Sequence, residues 1–212
     1  MSAPAFFQSD ARRTEYAWSD WAAVASFMRD HAVCRIAVND VTWPYVVAQT
    51  FRFVGDAFLL HFGRNGHLAT ALRRDPYCTI EIDEIVSLLM APQAQNTSAE
   101  YRSVVARCTV RLTDVDDEIE AQQYDALDKY RPEADYLPID RERGTRRISA
   151  VRAEIIELSA KKRILDEGGN PAGVAYVRYP FPPAATLSAL PADAFAPRFS
   201  VRASRPTRGP EH

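Results

Sequence analysis

Trp21, Val24, Ala25 and Met28 recur at the i, i+3, i+4, i+7 spacing of one buried helical stripe. A helix is therefore predicted from an N-cap at Ser19 through about His31. After it the period shortens to two. Strands are predicted at Cys34–Val38, Tyr45–Phe51 and Ala57–Phe62. The second is apolar around Val46 and Val47 on both faces, which predicts that both are covered. Val54-Gly55-Asp56 supplies the tight turn between the second and the third. In the third, Phe58, Leu60 and Phe62 alternate with Leu59 and His61. Leu68, Ala71 and Leu72 line a short helix that Pro76 stops. Cys78, Ile80 and Ile82 alternate with Thr79, Glu81 and Asp83, the pattern of a half-buried strand. Ile85–Met90 fits an extension of it, and 91–100 reads as a loop. In a long strand over Tyr101–Leu112, Val104, Ala106, Cys108, Val110 and Leu112 face one way, and Ser103, Arg107, Thr109 and Arg111 the other. Asp116–Tyr130 is predicted helical, with three acids in its first turn, where negative charge suits the dipole. A polar stretch follows, with Tyr136-Leu137-Pro138 as a docking point, and then a closing strand at Ala150–Leu158. Strands joined by short loops, with helices between only some of them, point to an α+β fold built on an antiparallel barrel.

This pattern divides the 212 residues into a lead-in at 1–18, one domain at 19–163 and a proline-rich arm and tail at 164–212. In the arm, Val174, Tyr176, Val177, Tyr179 and Phe181 are apolar enough to lie on the barrel or on a partner, with a disordered end expected from about Arg202. The net charge of −2 argues against a generic nucleic-acid surface. Arg143, Arg146, Arg147 and Arg152 stand among acids and read as a solvated face. Cys34, Cys78 and Cys108 form neither a disulfide framework nor a zinc pattern, and no metal site is expected. They read as small buried strand residues in a reducing, cytoplasmic setting. No apolar run is long enough to span a membrane, and the first fifteen residues lack the continuous apolar core of a signal peptide.

The candidate chemistry lies just after the third strand. His61 ends it, and Gly63-Arg64-Asn65-Gly66-His67 opens a helix. Free backbone N–H groups, an arginine and two histidines meet there, which suits a phosphate. Each residue also has a structural explanation. An isolated strand histidine is more often a hydrogen-bonded structural residue than a catalyst, Arg64 fits an exposed turn, and Trp43 and Tyr45 fit core or interface aromatics. No Gly-x-Gly-x-x-Gly, P-loop, His-Glu-x-x-His or Gly-x-Ser-x-Gly motif competes.

The order of these pieces resembles the FMN-binding split β-barrel proteins related to pyridoxamine 5′-phosphate oxidase, and within them the 5-nitroimidazole resistance branch. The resemblance rests on the Pro44-Tyr45-Val46-Val47 strand, the Gly55-Asp56 turn, the strand ending in His61, the Gly66-His67 helix start and the Arg74-Asp75-Pro76 stop. Tyr101-Arg102-Ser103-Val104, the acidic helix and a last strand ending near Lys161-Lys162-Arg163 complete it, over roughly residues 20 to 163. It implies a mainly antiparallel split barrel holding FMN at a homodimer interface. It lays the flavin ring along Tyr45, Val46, Val47, Ala48, Gln49 and Thr50. It puts phosphate and ribityl contacts along His61, Phe62, Gly63, Arg64 and His67, and further contacts at Arg102 and Ser103. The implied activity is reduction of a small planar acceptor, nitroaromatic or quinone-like, with His61 as the candidate proton donor. The alternative is a flavin- or haem-binding barrel without turnover. This chain departs from the pattern at Leu68, where a basic residue is common, at Ala48 in place of proline, and at Cys108 in place of glycine. Arg64 is the residue expected to compensate for the missing cation at 68.

Overall fold

A computed structural model describes residues 2–8, 13–134, 136–167 and 173–181. In chain order the elements are β1 (Phe7–Gln8), α1 (Trp21–Asp30), β2 (Val33–Asp40), β3 (Trp43–Thr50), β4 (Arg52–Phe53), β5 (Ala57–Gly63), α2 (His67–Arg74), β6 (Tyr77–Met90), β7 (Ser98–Thr113), α3 (Asp116–Tyr130), α4 (Arg141–Gly144), β8 (Ile148–Arg163) and β9 (Val177–Pro180). One sheet runs in the order β3-β2-β6-β7-β8-β5-β4, antiparallel throughout, with β1 joining β8 in parallel and β9 joining β6. The chain has an α+β fold, a mainly antiparallel split β-barrel with flanking helices.

The period-two pattern selects the inner face. Ile36, Ile80, Ile82, Val104, Ala106, Cys108, Phe58 and Leu60 form a core with Val24, Phe27 and Met28 of α1. The lead-in is tied down where Phe6 and Phe7 pack on Trp21 and Leu158 N–H donates to the Phe6 carbonyl. All three cysteines are buried free thiols. Burial pushes Cys34 up to about 12, and contact with Cys78, then burial, raises Cys108. The arginines read as a solvated face pair with local acids: Arg143 with Asp140, Arg146 with Glu142 and Arg152 with Asp56.

Three expectations are corrected. The N-cap of α1 is Asp20, whose carboxylate accepts from Ala23 N–H at 3.2 Å, and Ser19 lies outside the helix. β3 is not covered on both faces. Among the described residues β2 is its one strand neighbour; Tyr45 and Val47 pack against the core, while on the other face Val46 stays 54% exposed. The loop expected over 91–100 is shorter, because Ser98–Glu100 already belong to β7. The physical reason lies in β6. Its Cys78–Glu81 stretch pairs with β2, and its Ser87–Met90 stretch pairs with β9 on the same edge. The β6–β7 hairpin therefore outlasts the barrel and is completed by the arm.

The arm is held by a buried charge. Glu100 is 1% exposed and accepts from Ser87 Oγ at 2.6 Å, from Leu165 N–H at 2.9 Å, and from Arg178 Nε and Nη2 at 2.8 and 2.9 Å. The outward side chains of this blade, Leu88, Met90, Val177 and Tyr179, are exposed. The break expected at Gly168–Pro171 and the end expected from Arg202 lie outside the described residues.

Candidate functional site

Gly63 and Gly66 shape the turn before α2. Gly66 N–H donates to the Gly63 carbonyl at 2.9 Å, and a Cβ on Gly66 would stand 3.0 Å from that oxygen. Gly66 is the N-cap of α2 and gives it no side-chain capping bond. The first-turn N–H groups therefore remain donors for an incoming anion. His67 stands at this end. Its Nε2 is 2.8 Å from Asp40 Oδ2, and its ring meets Tyr45 edge-on at 4.6 Å. His67, with help from Arg74, holds the Asp40 carboxyl below its usual range.

The cations expected to help are committed elsewhere. Leu68 is buried in the core, so position 68 does not face the turn. Arg64 donates to the carbonyls of Ile148 (3.2 Å), Asp114 (3.1 Å) and Thr145 (3.4 Å), and its Nε lies 3.4 Å from the Asp114 carboxylate. Arg73 donates to the same carboxylate at 3.1 Å and to the Arg64 carbonyl at 2.6 Å. Against the cost of burial, Ser149, Arg64 and Arg73 keep Asp114 ionised below its ordinary range. Arg64 thus braces the α2 turn against β8.

His61 pairs across the ladder with Ala150 and shares a face with Leu59, outside the core residues Phe58, Leu60 and Phe62. α3 packs on β5 and β8, and Gln122 of α3 donates to the carbonyls of Leu60 and Val151. The His61 pKa is pushed down by burial, so the ring is neutral at pH 7 and offers a single proton donor and a single acceptor. Phe62 is buried and presents only its backbone. Along β3, Val46, Ala48 and Thr50 point outward and are exposed, while Tyr45, Val47 and Gln49 point inward.

The remaining two expected residues lie elsewhere. His61 sits in the ladder row of Ala150 and Thr113, whereas Ser103 pairs with Asp83 and Lys161. About ten residues of β7, roughly 30 Å, separate those rows. Arg102 donates to Glu84 at 2.7 Å and approaches Glu167 at 3.6 Å. It lines a separate cleft of about 480 Å³ beside α1, with Trp18, Phe27, His31, Glu84 and Lys162. Sequence reasoning treated His31 only as a helix end. A lone histidine after an amphipathic stripe carries no signal of its own.

The family model described as pyridoxamine 5′-phosphate oxidase matches residues 20–162, the span that builds this barrel and turn. The chain belongs to that family. No curated protein matches it by sequence. Among solved structures, this family member is similar to the flavocytochrome Anf3 from Azotobacter vinelandii, with TM-score 0.72 and 19% identity over 93% of this chain and 92% of that one. It is also similar to the FAD and heme binding protein from Mycobacterium smegmatis, with TM-score 0.63 and 18% identity over 79% and 88%. A protein from Bacteroides thetaiotaomicron assigned to 5-nitroimidazole antibiotic resistance aligns with TM-score 0.58 and 19% identity over 68% and 84%. At these identities the likeness is one of fold.

Proposed function

We propose that this member of the pyridoxamine 5′-phosphate oxidase family is a flavin-dependent oxidoreductase that reduces a small planar acceptor, nitroaromatic or quinone-like. One observation carries the proposal. β3 presents an exposed strip at Val46, Ala48 and Thr50, and on its other face Tyr45 meets His67 at an uncapped helix end. A flavin needs that combination of a flat apolar strip for its ring and N–H donors for its phosphate. The likeness to proteins named for FAD, and to a flavocytochrome, supports the same ligand class. The residues fit FMN through backbone donors and His67, with a grip weakened by the buried Leu68 and the committed Arg64.

Bound flavin would supply the electron transfer. The protein's part is to hold and shield it. Gly66 admits the phosphate to the first turn of α2, and the exposed Val46, Ala48 and Thr50 exclude water from one ring face. His61, neutral because it is half-buried, keeps one proton to give. A homodimer is part of the proposal. The His61 and Ser103 rows lie roughly 30 Å apart along β7, so we propose that Ser103 reaches the flavin of a second copy. A cytoplasmic location is also proposed, supported by three buried free thiols.

The test is the absorbance spectrum of the purified protein before and after incubation with excess FMN and desalting. A retained flavin band, reduced by NADH or NADPH and reoxidised by a nitro compound, is the expected result. A folded, colourless protein that does not retain FMN overturns the proposal.

A further inference from the structure

One face of α1 lines the cleft of about 480 Å³ described above, from Asp20 at its N-cap through Phe27 and Asp30 to His31 at its end. The backbone N–H of His31 donates to the Phe27 carbonyl, and its Nδ1 lies 2.7 Å from the same oxygen. A carbonyl only accepts, so Nδ1 carries the proton and the neutral ring presents a lone pair at Nε2. The His31 side chain is 7% exposed, and among the described residues its buried Nε2 has no hydrogen-bond partner. Glu84 Oε2 stands 3.8 Å away, too far for a hydrogen bond and an acceptor facing an acceptor. The other Glu84 oxygen accepts from Arg102 at 2.7 Å. A buried acceptor left without a donor is costly, so a donor that enters here is favoured.

The charges around the cleft narrow the choice of donor. Arg102 is held by Glu84 and Glu167, and Lys162 by Glu167 at 2.5 Å. That pairing leaves the carboxylates of Asp20 and Asp30 as a surplus of negative charge in the lining. Asp20 accepts its capping bond from Ala23 N–H at 3.2 Å, and Asp30 accepts from Ser26 Oγ at 3.2 Å. A carboxylate has about four lone-pair sites, so each keeps room for a cation. They stand at the two ends of the ten-residue helix, ~15 Å apart at 1.5 Å per residue. Ala23 and Phe27 line the stretch between them, and Trp18 packs edge-on against Phe27. Among the described residues no three histidine, cysteine or carboxylate side chains stand together as metal ligands, so a bare divalent ion finds no cage. The ligand that fits carries cationic N–H donors at several points along a flexible apolar chain. Ammonium groups donate and never accept, and their methylenes pack on apolar surface.

We propose that the cleft beside α1 binds a linear aliphatic polyamine, with one terminal ammonium against His31 Nε2 and Glu84 Oε2 and the rest of the chain running along α1 toward Asp20. The ammonium reaches the buried Nε2 as the Glu84 side chain turns, and both acceptors then share one donor group. Asp30 adds negative charge at that end and Asp20 at the other. The proposal stands whether or not flavin binds at the β3–α2 turn.

The experiment titrates the full-length protein with spermidine by calorimetry at low salt, with thermal melting as the control for folding. Wild type should bind one spermidine per chain, and should bind n-butylamine, which has a single ammonium, about tenfold or more weakly. Asp20→Asn keeps a capping oxygen and Asp30→Asn keeps the side-chain shape, and each should weaken spermidine about two- to fivefold. Glu84→Gln sets an amide N–H against Nε2 and closes the gap from within. It should fold normally and bind spermidine about tenfold or more weakly. In an isotope-labelled sample the ring nitrogen resonance of His31 Nε2 should move on binding, while those of His61 and His67 stay. A merely structural role for His31 would not move that signal. Four results overturn the proposal. They are a folded wild type that takes up no spermidine, n-butylamine binding as tightly as spermidine, equal weakening by Glu118→Gln on α3, and Glu84→Gln binding like wild type with the His31 resonance unmoved. The third would mark a general attraction to acidic surface, outside the cleft.

Discussion

Replacing Glu100 with glutamine tests what holds the arm to the barrel. The carboxylate is 1% exposed and receives four donors, from Ser87, Leu165 and, twice, Arg178. Glutamine keeps the shape, loses the charge and turns one acceptor into a donor that faces donors. Breaking a buried pair by removing one partner costs about 3–5 kcal/mol. Here Arg178 is 39% exposed and is also held by Asp166, so water and that second carboxylate offset part of the loss. A loss of about 2–3 kcal/mol in urea unfolding is expected. Release of β9 should precede global unfolding. Its anchors besides Arg178 are four ladder pairs and the Phe181 N–H bond to the Val86 carbonyl. Hydrogen exchange at Val177–Phe181 should therefore quicken before the barrel opens.

The pH dependence gives a second readout. Burial pushes the Glu100 carboxyl up, but Ser87, Leu165 and Arg178 outweigh it and hold it below its ordinary value. The unfolded chain then takes up a proton at higher pH than the folded one. The stabilisation is complete above the unfolded value of about 4.3 and is lost as pH falls through the lower folded value. The Glu100→Gln variant should lack this acid-side decline in β9 protection. A variant within about 0.5 kcal/mol of wild type, with β9 exchange unchanged, would refute the assignment of Glu100 as the latch.

Lys129 donates to the carbonyls of His31 and Phe51, and burial lowers its pKa to about 8. The unfolded chain holds that proton to about 10.4, so stability should rise between those values, and chemical denaturation of Lys129→Met should show no such rise. Leu68→Lys should not tighten FMN binding, because position 68 faces the core, and should destabilise by about 3 kcal/mol or more; tighter binding measured by fluorescence quenching would show that the helix start is misplaced. His67→Ala should weaken FMN about tenfold or more through the loss of one charge-assisted contact, as read by the same titration. Val46→Asp should convert a dimer to a monomer in sedimentation and lower flavin retention; an unchanged dimer would remove β3 from the interface.

The hydrophobic pattern alone determined most of the secondary structure. The run from Asp116 to Tyr130 is helical over that span, and Ala57–Phe62 alternates as its side chains require. Local periodicity suffices there because each element buries one face, and the sequence writes that face at the element's own period. The helix start after Gly63–Gly66 was legible too, and at Gly66 a Cβ would stand 3.0 Å from the Gly63 carbonyl oxygen. Pairing partners were not legible. The pattern of β3 is that of a covered strand, but among the described residues its outer face stays exposed at Val46. Leu68 shares the apolar stripe of Ala71 and Leu72, and the structure turns that stripe into the core. Arg64 looked available until β8 and Asp114 came within its reach from about fifty to eighty residues away. Glu100 meets Arg178, and Glu84 meets Arg102, only because strands distant in sequence become neighbours in the sheet. Elements arise from local spacing, while the charge and exposure of a site depend on what the rest of the chain brings beside it.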